Sequence, residues 1–101
     1  MVSAKEKRCL DTLAVVLAEY YPQDEFSVTG YKESAVCIER IDAGWEVYVG
    51  ERNAHHLSHI YPSILEASIA FLREMSADEE LTRMEDRFLD LIATVPEDKA
   101  A

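Results

Sequence analysis

The side chains best equipped for chemistry in this 101-residue sequence are its three histidines, which stand together in His55-His56-Leu57-Ser58-His59. Imidazole nitrogen is a common ligand of zinc and other borderline metals, and His55 and His59 would share a face if the segment were helical. The position after His55 does not hold the Glu that a zinc-protease helix uses as its general base. The flanking residues predict loop or strand, where an i, i+4 pair does not converge, and no nearby Cys or Asp completes a tetrahedral set. A polar, His-rich loop that contacts a partner is the simpler reading. A metal-dependent enzyme built on His55, His56 and His59 is kept as an alternative.

The two cysteines, Cys9 and Cys37, match neither a Cys-x-x-Cys redox pair nor a zinc-ligand spacing, and point to a reducing, cytoplasmic setting. Cys37, between Val36 and Ile38, reads as a small buried apolar residue. Cys9 reads as a core or helix-flank residue whose pKa is somewhat lowered by Lys5, Lys7 and Arg8. Carboxylates are so numerous, 20 Asp and Glu, that pairs at acid–base spacing arise anywhere by chance. No Gly-rich phosphate loop, Gly-x-Ser-x-Gly elbow or Walker sequence is present. The expectation is a protein with no catalytic residue, no metal and no cofactor.

Charge narrows the partner instead. Ten Lys and Arg against those acids leave a formal charge of −10, and the basic residues form no stripe that could neutralise phosphates. Nucleic acid and anionic membrane are therefore disfavoured, whereas a basic protein partner would be steered in. Hydrophobic residues at 49% and only three Gly and three Pro exclude linker-like composition, and a chain of this length buries about two thirds of its surface in one core. The longest strongly apolar run, Leu13 to Ala18, is far too short for a bilayer span, and the polar N-terminus, with no signal-length apolar stretch after it, leads us to expect an unprocessed chain.

The elements that must position these residues follow from period and punctuation. Ser3-Ala-Lys-Glu6 has the form of a capping box, and Leu10, Leu13, Leu17 and Tyr21, with Ala14 and Ala18, carry helical spacing from about Ala4 to Tyr20, before Pro22. From Glu25 the period changes to two. A first strand places Phe26, Val28 and Gly30 on one face, and Lys32-Glu33-Ser34 is a turn. A second strand covers Ala35 to Ile41, with Val36 and Ile38 opposed to Ala35 and Cys37. Asp42-Ala43-Gly44 turns the chain into Trp45 to Val49, where Trp45, Val47 and Val49 share a face. Gly50 to His56 reads as a polar loop, and 56–61 as a short fourth strand or an irregular connection. Ser63-Ile-Leu-Glu66 and Ser76-Ala-Asp-Glu79 are two further capping boxes. The first opens a helix with apolar face Ile64, Ala67, Phe71, Leu72 and Met75; the second opens one with Leu81, Met84, Phe88, Leu91 and Val95, closed by Pro96 before a frayed tail at 96–101. The whole is a single α+β domain over 1–101, a small antiparallel sheet of three or four strands with an N-terminal helix and two C-terminal helices packed on it.

The run Cys37-Ile-Glu-Arg-Ile-Asp-Ala-Gly-Trp-Glu-Val-Tyr-Val-Gly-Glu-Arg52, followed by a polar loop and by Tyr61, Ala67 and Phe71, spans about a third of the chain. It resembles the small immunity proteins of bacterial polymorphic toxin and contact-dependent growth inhibition systems, in which a hairpin ending in such a strand leads into an amphipathic helix. The resemblance implies a cytoplasmic protein, a monomer or weak dimer, that binds a cognate toxin C-terminal domain and occludes it without catalysis. Toxins of the nuclease type have basic clefts, which suit an inhibitor of charge −10. No residue role carries over, so the partner-binding candidates are chosen physically: Tyr48, Glu51, Arg52, His55 and His56 at the hairpin end, with Glu79, Glu80, Glu85 and Asp86 as an acidic flank. An alternative is an acidic secretion chaperone of the type III kind, which resembles this chain in charge and helix-first order and binds an effector segment as a homodimer.

Overall fold

The computed structural model describes residues 3–75 and 78–94, with the side chains of 78–81 and Thr94 outside that description. The Ser76 capping box lies partly outside the described residues, as do Val95, Pro96 and the tail. Helix α1 (Ala4–Ala18) starts as its sequence dictates: Ser3 Oγ accepts the Glu6 N–H at 3.1 Å and Glu6 Oε1 accepts the Ser3 N–H at 3.0 Å. It ends two residues before the expected Tyr20, where Glu19 and Tyr20 N–H groups reach back three residues to Val16 and Leu17 carbonyls and tighten the last turn. Its buried stripe is Cys9, Leu10, Leu13, Val16 and Leu17, so Val16 takes the core place that the spacing assigned to Ala18, which is exposed.

A short 3₁₀ turn, Gln23–Glu25, leads to a four-stranded sheet ordered β1 (Phe26–Ser27), β2 (Ala35–Ile41), β3 (Gly44–Glu51), β4 (Ala54–Tyr61). The expectation of an all-antiparallel sheet is corrected at β1, which is only two residues long and pairs parallel with β2, Phe26 opposite Val36. Parallel strands normally need a dozen or more connecting residues; the seven from Val28 to Ser34 suffice here because the chain retraces so little length, with Gly30 turning it at φ 108°. The β2–β3 hairpin has the expected register, Ile38 opposite Val47 and Cys37 opposite Tyr48. Gly44 closes it at φ 140°, where a Cβ would stand 2.3 Å from the Tyr61 carbonyl oxygen.

The segment expected as a loop from Gly50 to His56 is instead a tight hairpin turn. Arg52 and Asn53 both take positive φ, 54° and 60°, and Glu51 pairs with Ala54. These are the mirror-image turn angles that match strand twist, adopted here without glycine. The open question at 56–61 is resolved as strand: β4 runs eight residues along β3, interrupted where Leu57 (φ 54°) and Ser58 together stand opposite Tyr48 as a β-bulge.

Alternation divides the sheet into two faces. Ile38, Trp45 and Val47 join Leu13, Val16 and Leu17 of α1, Phe71 and Leu72 of α2 (Ile64–Met75), and Met84 and Phe88 of α3 (Asp78–Thr94) in the main core. Ser63 caps α2 by accepting the Glu66 N–H at 3.2 Å, but the return bond runs between the Ser63 hydroxyl and the Glu66 carboxylate, not to the backbone. Helix α2 lies over β2 and β3, while α3 packs on α1 and α2. Glu6 ties α1 to the sheet as well as capping it: its Oε2 accepts from Arg40 Nη1 at 3.2 Å and from the Trp45 indole N–H at 3.4 Å. On the opposite face Ala35, Cys37 and Tyr48 form a second small cluster. Among the described residues no helix covers it; the Tyr31–Ser34 segment crosses it, passing so close over Gly50 that a Cβ there would meet the Lys32 carbonyl oxygen at 2.4 Å. Among the described residues no helix is long and apolar enough to cross a membrane.

Candidate interaction face at the hairpin end

The β2–β3 register sets two carboxylates, Glu39 and Glu46, directly opposite each other on the face away from the helices. Like charges in that position repel, and each is held by its own donor. Tyr48 donates its hydroxyl to Glu39 Oε1. Glu46 Oε2 accepts from His55 Nδ1 at 2.8 Å and from Ser58 Oγ at 2.7 Å. The His55 ring lies flat on the Tyr48 ring, centroids 3.7 Å apart and planes within 2°, and the Tyr31 ring sits beside both, 6.0 Å from His55 and 6.4 Å from Tyr48. Burial first, then the bond to the Glu39 carboxylate, drives the Tyr48 pKa far above the ordinary tyrosine value.

The tip of the β3–β4 hairpin is clamped to the same layer. The Arg52 N–H donates to Glu33 Oε2 at 2.9 Å and the Asn53 N–H to Tyr31 Oη at 2.8 Å, while Tyr31 in turn donates its hydroxyl to Glu33 Oε1. Those bonds hold the Glu33 carboxyl below its ordinary value, the Arg52 N–H foremost, and the bond to Glu33 raises Tyr31. Two residues in a left-handed conformation that costs non-glycine residues energy are thus held from outside the turn.

Of the residues chosen from sequence, Glu51, Arg52, His55 and His56 are exposed at this end of the sheet. Tyr48 is corrected: it is completely buried, because alternation places it on the far face, where His55, Tyr31 and Glu39 close over it. Its ring is the surface on which the His55 ring lies. The acidic flank does not join the hairpin end. Glu85 and Asp86 belong to α3, in the helix layer on the other side of the sheet, where Glu85 lies 3.5 Å from Arg73 Nε. Glu79 and Glu80 open α3, and their side chains lie outside the described residues. Sequence reading weighs Tyr31 as rim packing or an interface anchor, and misses Glu33, Glu39, Glu46 and Ser58. The signal for Glu39 and Glu46 was present, since alternation about Asp42-Ala43 already pairs them; that for the contacts of Tyr31 and Glu33 with the hairpin tip was not, because it depends on the path of a connection.

The three histidines go to separate partners. His56 Nε2 donates to the Glu51 carbonyl at 3.2 Å and His59 Nδ1 to the Leu57 carbonyl at 3.1 Å. Among the described residues no group of three or more His, Cys, Asp or Glu could hold a metal. Ser58 and His55 both bond Glu46, so the carboxylate stands between hydroxyl and imidazole, an order that does not activate a serine. Cys9 is also corrected: its pKa is raised, since burial outweighs the pull of Lys5; Cys37, buried as expected, is raised by burial too. What the face offers is an array of carboxylates around the single His55 imidazole, ending in an exposed Glu51-Arg52 tip. In comparison with known proteins, no family model, no curated protein and no solved structure matches the chain.

Proposed function

We propose that this chain is a toxin-neutralising immunity protein: a cytoplasmic inhibitor that binds a basic, nuclease-type toxin domain and occludes it. The observation that carries the reading is the clamped hairpin tip. Glu51 and Arg52 project from a turn held in a costly conformation by Glu33 and Tyr31, beside a sheet face bearing Glu39 and Glu46. Strain maintained by surrounding structure is characteristic of recognition sites, and a pre-ordered tip loses little entropy on binding. The formal charge of −10 supplies the steering toward a basic cleft.

Two acidic surfaces are separated by the sheet, so two experiments separate them. Affinity capture of the tagged protein from its host, with the partner identified by mass spectrometry, is expected to return the C-terminal domain of a large exported protein. Against that domain, Glu51→Lys with Arg52→Glu is expected to weaken binding by about a hundredfold, the scale of a central interface contact. Glu85→Lys with Asp86→Lys is expected mainly to slow association and flatten its salt dependence. Binding indifferent to all four changes overturns the reading. A second reading, an acidic secretion chaperone, is favoured by the exposed β4 edge, which carries no Asp, Glu, Lys or Arg. It predicts that the captured protein is an effector engaged through an extended N-terminal segment.

A further inference from the structure

Strand β4 is an unprotected edge. Its inner side pairs with β3, and among the described residues no strand follows it on the outer side. Unpaired backbone donors and acceptors of this kind are usually guarded by Lys, other charged side chains or proline, and Ala54 to Tyr61 contains no Asp, Glu, Lys, Arg or Pro. The bulge at Leu57-Ser58 is its sole device, and it leaves Leu57 68% and Ile60 55% exposed. On the helix side of the strand a groove of about 590 Å³ between β4 and α2 is lined by His59, Tyr61, Leu65 and Ile69, with Glu66, Arg73 and Glu74 as its charged members.

We propose that β4 is the interface of a homodimer, in which two copies pair their β4 edges antiparallel about a twofold axis. The inference is independent of what the hairpin tip binds. Electrostatics selects the occupant: a chain of charge −10 repels its own copy nearly everywhere, and β4 is an eight-residue strip with no Asp, Glu, Lys or Arg, where two copies approach at least cost. A basic partner gains nothing there and is drawn to the acidic surfaces instead. Topology selects the symmetry. The opposite sheet edge, β1, is two residues long and gives no template for a head-to-tail contact, so β4 pairs with β4 and the assembly closes at two. Leu57, Ile60 and, at the start of α2, Leu65 (44% exposed) supply the apolar contact flanking the strands. The far face with His55 and the Glu51-Arg52 tip stays open.

Sedimentation equilibrium of the full chain over a range of concentrations tests the proposal. The expected result is a rise from one to two chain masses with no larger species, accompanied by concentration-dependent protection of β4 amides from hydrogen exchange. Ile60→Lys and Leu57→Lys, each at an exposed position, are expected to raise the dimer dissociation constant at least about tenfold while leaving the circular dichroism spectrum unchanged. A mass of one chain at every concentration, open-ended growth beyond two, or a dimer that neither variant weakens would overturn it. Should one variant fail to fold, the other and the wild-type exchange pattern still decide.

Discussion

Tyr48 joins the packing and the electrostatics of the far face. Its ring is covered by His55 and its hydroxyl is spent on Glu39, so Tyr48→Phe removes a bond to a charged acceptor and is expected to cost about 2 kcal/mol, measured by urea denaturation. Its ionisation provides a check that a merely hydrophobic role would not. A tyrosine raised in the folded state contributes stability that is fully present below the ordinary tyrosine value and is lost as the pH rises beyond it. Ultraviolet titration of the five tyrosines should therefore leave Tyr48 silent until the protein unfolds in alkali, and Tyr48→Phe should unfold at no lower pH relative to its own neutral stability. The sequence carried the facing of Tyr48, since alternation sets it opposite Val47. It did not carry its burial: aromatic residues at that position are exposed or covered according to where a connection such as Tyr31 to Ser34 happens to cross.

At the scale of elements, the turns discriminate strain from accommodation. Arg52 lies at φ 54° without being glycine, and its N–H, not its side chain, is what Glu33 holds. Arg52→Gly relieves the left-handed strain and is expected to raise stability by up to about 1 kcal/mol while weakening capture of the partner, a split between folding and binding readable by denaturation and titration calorimetry. Gly44→Ala runs the other way. Its Cβ would overlap the Tyr61 carbonyl at φ 140°, and a loss of about 3 kcal/mol or more is expected. Helix starts and the β2–β3 hairpin were legible because capping boxes and alternation are local. The β3–β4 turn was hidden, since Arg-Asn lacks the glycine by which such turns announce themselves, and β1 looked longer than it is because Val28 continues its alternation after pairing has ended.

Across the whole molecule, Glu6 links a helix cap, the sheet and the core in one carboxylate. Its pKa is lowered, first by the Ser3 N–H and then, against the opposing effect of burial, by Trp45 and Arg40. A carboxyl lowered in the folded state gives stability that is present above the ordinary glutamate value and lost as the pH falls through the depressed one. The stability difference between wild type and Glu6→Gln, measured by urea denaturation at successively more acid pH, should therefore be full at neutrality and vanish in acid. The same scale separates the two acidic surfaces: Glu85 and Asp86 lie on α3 in the helix layer, and the hairpin tip lies at the end of the sheet.

The order of elements, the residues that cap α1 and α2, and the two faces of the central hairpin were determined by the sequence itself, because each depends on neighbours within a few positions. Tertiary structure alone decided that β1 runs parallel, that Tyr31 and Glu33 reach nineteen or more residues along the chain to clamp Arg52 and Asn53, and that Tyr48 is roofed over rather than presented. Those outcomes rest on where a seven-residue connection travels, which is set by packing between distant segments and leaves no periodic trace in the residues that make it.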